Sequence, residues 1–225
     1  MDETCLVTGA NRGIGRAFAG KLREAGAQVI ATVRDPDASA SLDDDGVRVE
    51  RVDVADDRSV SEMARRLKDK PIDILINNAA IGGQGPPVAE LDMTELSRFF
   101  EVNSIGPLRV ARALLPNLRL GRRRTIVNIS SDMGSVASND SGGFYGYRAS
   151  KSGLNMLTST LAHELRPEQF TCVLLHPGWV RTDMGGSEAP RTPDQSVADM
   201  IRLIEGLTPD DNGRFIDHKG GTIPW

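Results

Sequence analysis

The fold is decided by the stretch Thr4-Cys5-Leu6-Val7-Thr8-Gly9-Ala10-Asn11-Arg12-Gly13-Ile14-Gly15, where an apolar run, a glycine-rich turn and a helical pattern follow one another. The apolar run is typical of a buried strand, and the helical period begins at Ile14. Glycines permit a tight turn, close approach of backbone to a ligand, and close packing of helix on strand. Free N–H groups at the helix start favour a phosphate. The stretch therefore predicts a phosphate-binding strand–turn–helix unit, although its spacing differs from the common G-x-G-x-x-G form.

Working outward, short Val/Ile/Leu runs alternate with helical periods along the chain, which indicates a parallel sheet covered by helices on both faces. We expect one domain over residues 1–225, an α/β Rossmann-like doubly wound sheet with about seven mostly parallel strands. The predicted strands are Thr4–Thr8, Gln28–Val33, Val47–Arg51, Ile72–Asn77, Arg124–Ile129, Thr171–His176 and Arg214–Ile216. The predicted helices are Ile14–Ala25, Ser59–Lys68, Met93–Leu118 with a kink at Pro107, Tyr147–Leu165 and Pro193–Leu207.

Composition narrows the class of protein. The 225 residues are 39% hydrophobic and 26% charged, which is typical of a globular chain, and the net charge is −4. A mildly acidic chain argues against a nucleic-acid or anionic-membrane partner. Cys5 and Cys172 lie in apolar runs, so neither a disulfide framework nor a metal site is indicated. With neither a signal segment nor a membrane span in sight, we expect a cytoplasmic protein.

The glycine turn and six further motifs, all in the same order along the chain, resemble those of the short-chain dehydrogenase/reductase family. Besides the glycine turn, T-G-x-x-x-G-x-G, they are Asp53-Val54, Asn77-Asn78-Ala79-Ala80 with Ala80 in place of the usual glycine, Asn103, the strand Ile126–Ser131, Tyr147-x-x-x-Lys151 and Pro177-Gly178-Trp179-Val180-Arg181-Thr182. The resemblance covers nearly the whole chain. Three features are similar to the C-factor-like and sniffer-like carbonyl reductase branch: the stretch Gly143–Lys151, the His176–Trp179 turn and the terminal Ile223-Pro224-Trp225.

Tyr147 and Lys151 are four residues apart, so they share one face of a helix. A free tyrosine has a pKa of about 10, and a nearby ammonium lowers it toward a useful range for proton transfer. The resemblance implies that Tyr147 exchanges a proton with the substrate oxygen and that Lys151 holds the nicotinamide ribose. It also implies that Ser131 hydrogen-bonds the substrate oxygen and that Asn103 holds a water on the proton path. Ser131 is preferred to Ser130 because it matches the family's S-x-x-G.

The residue after the second strand discriminates between the two nicotinamide cofactors. An acidic residue there binds a ribose hydroxyl, whereas a basic one accommodates a 2′-phosphate. Here Val33 occupies the acid's place and Arg34 follows, with Arg12 as a second guanidinium. The two arginines therefore predict a preference for NADP(H). NAD(H) stays possible, because the acidic Asp35 comes next and could weaken that preference. A competing interpretation is that both arginines are simply exposed and bind no phosphate. The full predicted cofactor set is Gly9, Asn11, Arg12, Gly13, Ile14, Gly15, Arg34, Asp53, Val54, Asn77, Ala79, Tyr147, Lys151, Pro177, Gly178, Val180 and Thr182.

The substrate side carries a weaker signal. Phe144, Trp179 and Met184 are candidate pocket walls, with Tyr145 beside them, and core packing is their competing interpretation. The short segment after Val180 predicts an open pocket. His176 ends a strand beside the cofactor turn and is interpreted as structural, although histidine is a common acid–base residue.

The resulting function is an NADP(H)-dependent oxidoreductase acting on a small carbonyl or alcohol substrate, with no metal. The alternative is a signalling or binding protein that retains the cofactor fold, and an isomerase or dehydratase ranks last. By resemblance, a homodimer or homotetramer is expected through the two long helices.

Overall fold

The computed structural model describes residues 3–35, 47–83 and 85–225, and its centre is a seven-stranded sheet in the order β3-β2-β1-β4-β5-β6-β7. All six neighbouring pairs run parallel. The strand order reverses between β1 and β4, where doubly wound sheets open a ligand crevice. The strands are β1 Thr4–Thr8, β2 Gln28–Val33, β3 Arg48–Arg51, β4 Ile74–Asn77, β5 Thr125–Ile129, β6 Thr171–His176 and β7 Phe215–Asp217.

Helices cover both faces of the sheet because successive strand residues point to opposite sides. Cys5 and Val7 pack with Phe18 and Met200 on one face, whereas Leu6 packs with Leu114 on the other. Burial of each such side chain contributes roughly 1.5–3 kcal/mol. The helices are α1 Gly13–Glu24, α2 Asp57–Arg66, α3 Met93–Phe100, α4 Gly106–Leu120, α5 Tyr145–Leu165 and α6 Pro193–Glu205.

The strands and helices lie within two residues of their predicted bounds, and the predicted helix Met93–Leu118 is helical throughout. Its geometry changes at the π-helical turn Glu101–Ile105, between α3 and α4, and Pro107 follows as the second residue of α4. Because Pro107 lacks an N–H, it cannot donate to the preceding helical turn, and a π turn is one of the ways in which a helix accommodates such a gap. Asn103 and Ser104 lie on the π turn and are buried in the interior.

Three further features concern the cysteines, the potential metal ligands and the length of the helices. Cys5 and Cys172 are buried free thiols, and burial raises the pKa of each to about 12. Over the described ranges, no group of three potential metal ligands lies together. Within those same ranges, none of the helices has the length and apolar character needed to cross a membrane.

Candidate active site

A cleft of about 1110 Å³ opens at the carboxyl ends of the parallel strands, between the glycine turn and the start of α5. The strand ends bring together residues that are far apart in the sequence. The predicted site residues in its wall are Gly9, Asn11, Arg12, Gly13, Ile14, Gly15, Arg34, Asp53, Val54, Ala79, Ser131, Phe144, Tyr147, Lys151, Pro177, Gly178, Trp179, Val180, Thr182 and Met184. Two predicted residues, Asn77 and Asn103, lie behind this wall.

The glycine turn lines the cleft and packs too closely on its neighbours to carry side chains at Gly9 and Gly15. Gly9 has a φ of +66°, in the left-handed region, and a Cβ added to it would lie 2.8 Å from Cα of Ala79. A Cβ on Gly15 would lie 2.2 Å from the carbonyl oxygen of Gly9, which no side chain tolerates. The turn is therefore a fixed cradle of backbone groups at the N-terminus of α1, suited to a phosphate.

Asn78, rather than Asn77, ties this cradle to β4. Its Nδ2 donates to the carbonyl oxygens of Thr8 and Gly9 at 2.9 and 3.1 Å. Asn77 points to the opposite side, where its Nδ2 donates to Oδ1 of Asn128 at 2.8 Å. The assignment of Asn77 as a cofactor contact is thus corrected, because the alternation of side chains along a strand turns it away from the cleft. The same alternation can be read from the sequence, and it could have identified Asn78 as the residue that faces the glycine turn.

Charged residues surround the end of the cleft next to β2. Arg34 is exposed directly after β2, and Asp53 follows β3 with its Oδ1 accepting the N–H of Ala55 at 2.9 Å. Arg12 of the glycine turn forms an ion pair with Asp183, which directly follows the Pro177–Thr182 turn. Sequence reasoning did not anticipate this pair, which joins residues 171 positions apart.

Ser131, Tyr147 and Lys151 converge on the opposite side of the cleft. Lys151 is buried on α5, its Nζ donates to the carbonyl oxygen of Ile129 at 2.8 Å, and it lies 5.8 Å from the centre of the Tyr147 ring. The two adjacent serines separate as expected. Ser130 donates to Oδ1 of Asn155 in the interior at 2.7 Å, whereas Ser131 lies in the cleft and hydrogen-bonds Tyr147.

The electrostatics of Tyr147 differ from the prediction that Lys151 lowers its pKa. Burial raises the pKa of Tyr147 to about 12, and the Asp132 carboxylate adds to the rise, while the hydrogen bond with Ser131 acts in the opposite direction. Burial also lowers the pKa of Lys151 to about 8. Burial removes both side chains from water, which disfavours the charged form of each: the phenolate of Tyr147 and the ammonium of Lys151. This effect of burial on the two pKa values is larger than the effect of the attraction between the two charges. Tyr147 is therefore held in its protonated form.

Asn103 is fully buried on the π turn, and its side chain connects the loop after β4 to α5. Its Oδ1 accepts the N–H of Ile81 at 2.9 Å, and its Nδ2 donates to the Ile81 carbonyl oxygen at 2.9 Å and to Oγ of Ser150 at 3.1 Å. These bonds fix the loop after β4 against α5. A water-holding role for Asn103 stays a prediction.

Apolar side chains line the same cleft as Ser131 and Tyr147. Phe144, Met184 and Trp179 are 42%, 50% and 57% exposed, which fits the open pocket that the sequence predicts. Phe144 has a left-handed backbone (φ 53°) immediately before α5, a strained conformation of the kind found at functional sites. Tyr145, predicted beside these walls, begins α5 and does not line the cleft. Met184 packs on Gly82, a contact that no motif of the chain predicts.

Comparison with known proteins agrees with this geometry. The chain is 48% identical to "C-signal" of Myxococcus xanthus over 155 residues, which are 69% of this chain and 93% of that protein. The carbonyl reductase Sniffer of D. melanogaster superposes with a TM-score of 0.94 at 31% identity, covering 100% of both chains. The NADPH-bound carbonyl reductase from chicken fatty liver superposes with a TM-score of 0.93 at 33% identity, covering 100% of this chain and 99% of that one.

These relatives confirm the resemblance to the C-factor-like and sniffer-like branch. The family model for short chain dehydrogenases matches residues 3–192, which include the glycine turn, Ser131, Tyr147, Lys151 and the Pro177–Thr182 turn. The match extends over most of the sequence, and the chain therefore belongs to the short chain dehydrogenase family.

Proposed function

We propose that this protein is an NADP(H)-dependent oxidoreductase that interconverts a small carbonyl compound and its alcohol, with Tyr147 as the general acid/base. The observation that carries the proposal is the convergence of Ser131, Tyr147 and Lys151 in one cleft with the glycine cradle. One side of this cleft suits a phosphate, and the other offers a proton donor beside apolar walls.

The residues present fit a dinucleotide. Gly9 and Gly15 allow the turn to pack tightly on Ala79 and Asn78, and this packing holds its backbone groups in the cleft wall at the start of α1, where a pyrophosphate would bind. Asp53 and Val54 would hold the adenine, and the Pro177–Thr182 turn and Lys151 would hold the nicotinamide end. When bound, the cofactor donates or accepts the hydride at the substrate carbon.

The chain itself supplies the proton and the orientation. In reduction, Tyr147 donates its phenolic proton to the substrate oxygen, and its protonated state is favoured by burial. Ser131, whose hydroxyl donates to Oδ1 of Asp132 in this structure, turns its proton to the same substrate oxygen and stabilises its developing negative charge. Lys151 lies close enough to Tyr147 to stabilise the phenolate that remains. In oxidation the same groups act in reverse.

The preference for NADP(H) rests on Arg34, which follows β2, and on Arg12 in the glycine turn, both of which line the cleft. Guanidinium groups pair with phosphate through charge-assisted hydrogen bonds, and Val33 supplies no carboxylate to repel a 2′-phosphate. The similar chicken enzyme is an NADPH-bound carbonyl reductase, which supports the same cofactor and substrate class here.

The test combines nucleotide binding with turnover. NADPH fluorescence gives the dissociation constant, and NADPH oxidation with a panel of aldehydes and ketones gives kcat. We expect Tyr147→Phe to lower kcat by about 10²–10⁴-fold with unchanged NADPH affinity. The matched control is Tyr145→Phe, two residues away and outside the cleft, with kcat near that of the wild type. Wild-type activity in Tyr147→Phe would refute the proposed role.

A second candidate function is a signalling or binding role with turnover secondary. It is favoured by the 48% identity to a protein named "C-signal". Tyr147→Phe separates the two functions in cells of the source organism. A phenotype that persists when the reductase activity is lost supports the signalling role, whereas loss of both supports the enzyme.

Three further proposals concern the setting of the enzyme: a single domain over the whole chain, a cytoplasmic location, and a homodimer or homotetramer. The last is supported by Met156, an apolar side chain of the long helix α5 that is 68% exposed. Light scattering at micromolar concentration tests it, and a monomer would contradict it.

A further inference from the structure

His176 occupies a position in the cleft wall that its interpretation as a structural residue does not explain. It is the last residue of β6, its side chain is 14% exposed, and it faces the short 3₁₀ turn Asp132–Gly134 that follows Ser131. Its Nδ1 accepts the backbone N–H of Asp132 at 3.2 Å. Because both ring nitrogens of a protonated imidazole are donors, this bond requires an unprotonated Nδ1.

Asp132 connects His176 to the catalytic serine. Its Oδ1 accepts the Ser131 hydroxyl at 3.1 Å and the N–H of Met133 at 2.8 Å. The Ser131 hydroxyl also accepts the N–H of Met133 at 3.2 Å, which caps the turn. The position of Ser131 therefore depends on a turn whose first backbone N–H is fixed by the imidazole.

We propose that neutral His176 is a positioning residue for the reduction step, because it anchors the turn that presents Ser131 to the substrate oxygen. Protonation of the imidazole would place two N–H groups against each other and break this anchor. It would also place a positive charge 3.7 Å from Oδ2 of Asp132, which holds the Ser131 hydroxyl on the carboxylate more strongly and away from the substrate oxygen. The inference rests on the proposed oxidoreductase function.

The titratable groups around the imidazole come from the 3₁₀ turn after Ser131, from β7 and from the residue that follows β7. Asp132 lies on the 3₁₀ turn, Asp217 ends β7, and His218 follows it with its ring 6.3 Å from that of His176. The two carboxylates favour protonation, whereas burial and His218 oppose it. Burial is the largest effect and lowers the pKa of His176, so that the neutral form is present at neutral pH and is lost as the solution becomes acidic. We therefore expect turnover to fall on the acid side of neutrality.

The test is the pH dependence of kcat, measured with saturating NADPH so that titration of the cofactor's own phosphate does not enter. His176→Asn places an amide oxygen where Nδ1 lies and does not titrate in this range. We expect this variant to keep most of the wild-type kcat and to lose the acid-side fall. His176→Phe has no acceptor, and we expect kcat to fall by about tenfold or more at every pH, with unchanged NADPH affinity.

The control is His163→Asn, an exposed histidine of α5, which should retain the wild-type pH profile. An acid-side fall that persists unchanged in His176→Asn would overturn the proposal, even if His176→Phe fails to fold. So would a His176→Phe variant with wild-type kcat. Absence of any NADPH-dependent carbonyl reduction by the wild type would instead refute the proposed function itself.

Discussion

The two sides of the cleft are built by different physical means. On the glycine side, shape is set by missing side chains: backbone groups of Gly9 and Gly15 pass so close to their neighbours that one added carbon would collide. On the catalytic side, Tyr147 and Lys151 are removed from water, and burial shifts the pKa of both. The comparison indicates that the first side works by steric fit and the second by electrostatics. Substitutions on each side should fail in correspondingly different ways.

The largest effect is expected on the steric side, from Gly15→Ala. The added Cβ would lie 2.2 Å from the Gly9 carbonyl oxygen and 2.5 Å from Nδ2 of Asn78, so the turn must move. We expect a loss of more than about 3 kcal/mol in the free energy of unfolding together with loss of NADPH binding. Urea unfolding and NADPH fluorescence measure the two effects.

The matched control for this substitution is Gly20→Ala in the same helix. A Cβ at Gly20 meets nothing within 4 Å, so alanine should stabilise α1 by about 0.5–1 kcal/mol. If Gly15→Ala were as stable as Gly20→Ala and bound NADPH normally, the steric account of this side would be wrong.

On the electrostatic side, Lys151→Met should stabilise the free protein near neutral pH. Burial lowers the pKa of Lys151 from its ordinary value of 10.5 to about 8. Below pH 8 the folded protein carries a buried ammonium that costs about 3 kcal/mol relative to the unfolded chain. Between pH 8 and 10.5 only the unfolded chain stays protonated at this site, so this cost falls as the pH rises.

We therefore expect Lys151→Met to exceed the wild type by about 2 kcal/mol at pH 7, after allowance for the lost hydrogen bond to Ile129. The advantage should shrink at pH 9.5. The control, Lys68→Met at an exposed site, should show no such pH dependence. An advantage that is constant with pH would show that Lys151 is not destabilised by burial.

The same contrast explains what the sequence could predict. The apolar runs fixed the places of the strands, and the spacing of the glycine turn identified the phosphate cradle, because both depend on local backbone geometry. Pro107 indicated an irregularity in the long helix, but not that it takes the form of a π turn at Glu101–Ile105, because that form depends on how the helix packs. The direction of the pKa shift at Tyr147 was also missed, since burial is set by packing from distant parts of the chain.

Long-range pairs were beyond sequence reasoning for the same reason. The bond from Asp132 to His176 joins residues 44 positions apart, and the Arg12–Asp183 pair spans 171. Both depend on which strand ends become neighbours in the sheet. Asn78, in contrast, was within reach of the sequence, because alternation along β4 already separates it from Asn77.

The smallest of the expected effects concerns cofactor choice at the end of the cleft next to β2. Arg34→Asp should weaken NADPH binding by about tenfold or more and leave NADH binding nearly unchanged, because only NADPH carries the 2′-phosphate. Arg34 should matter more than Arg12, whose guanidinium is already paired with Asp183. Lys68→Asp makes the same change of charge away from the cleft and should affect neither nucleotide. Equal losses of NADPH and NADH affinity in Arg34→Asp would mean that this residue shapes the cleft and does not recognise the 2′-phosphate. The end of the cleft next to β2 would then work by steric fit, like the glycine turn.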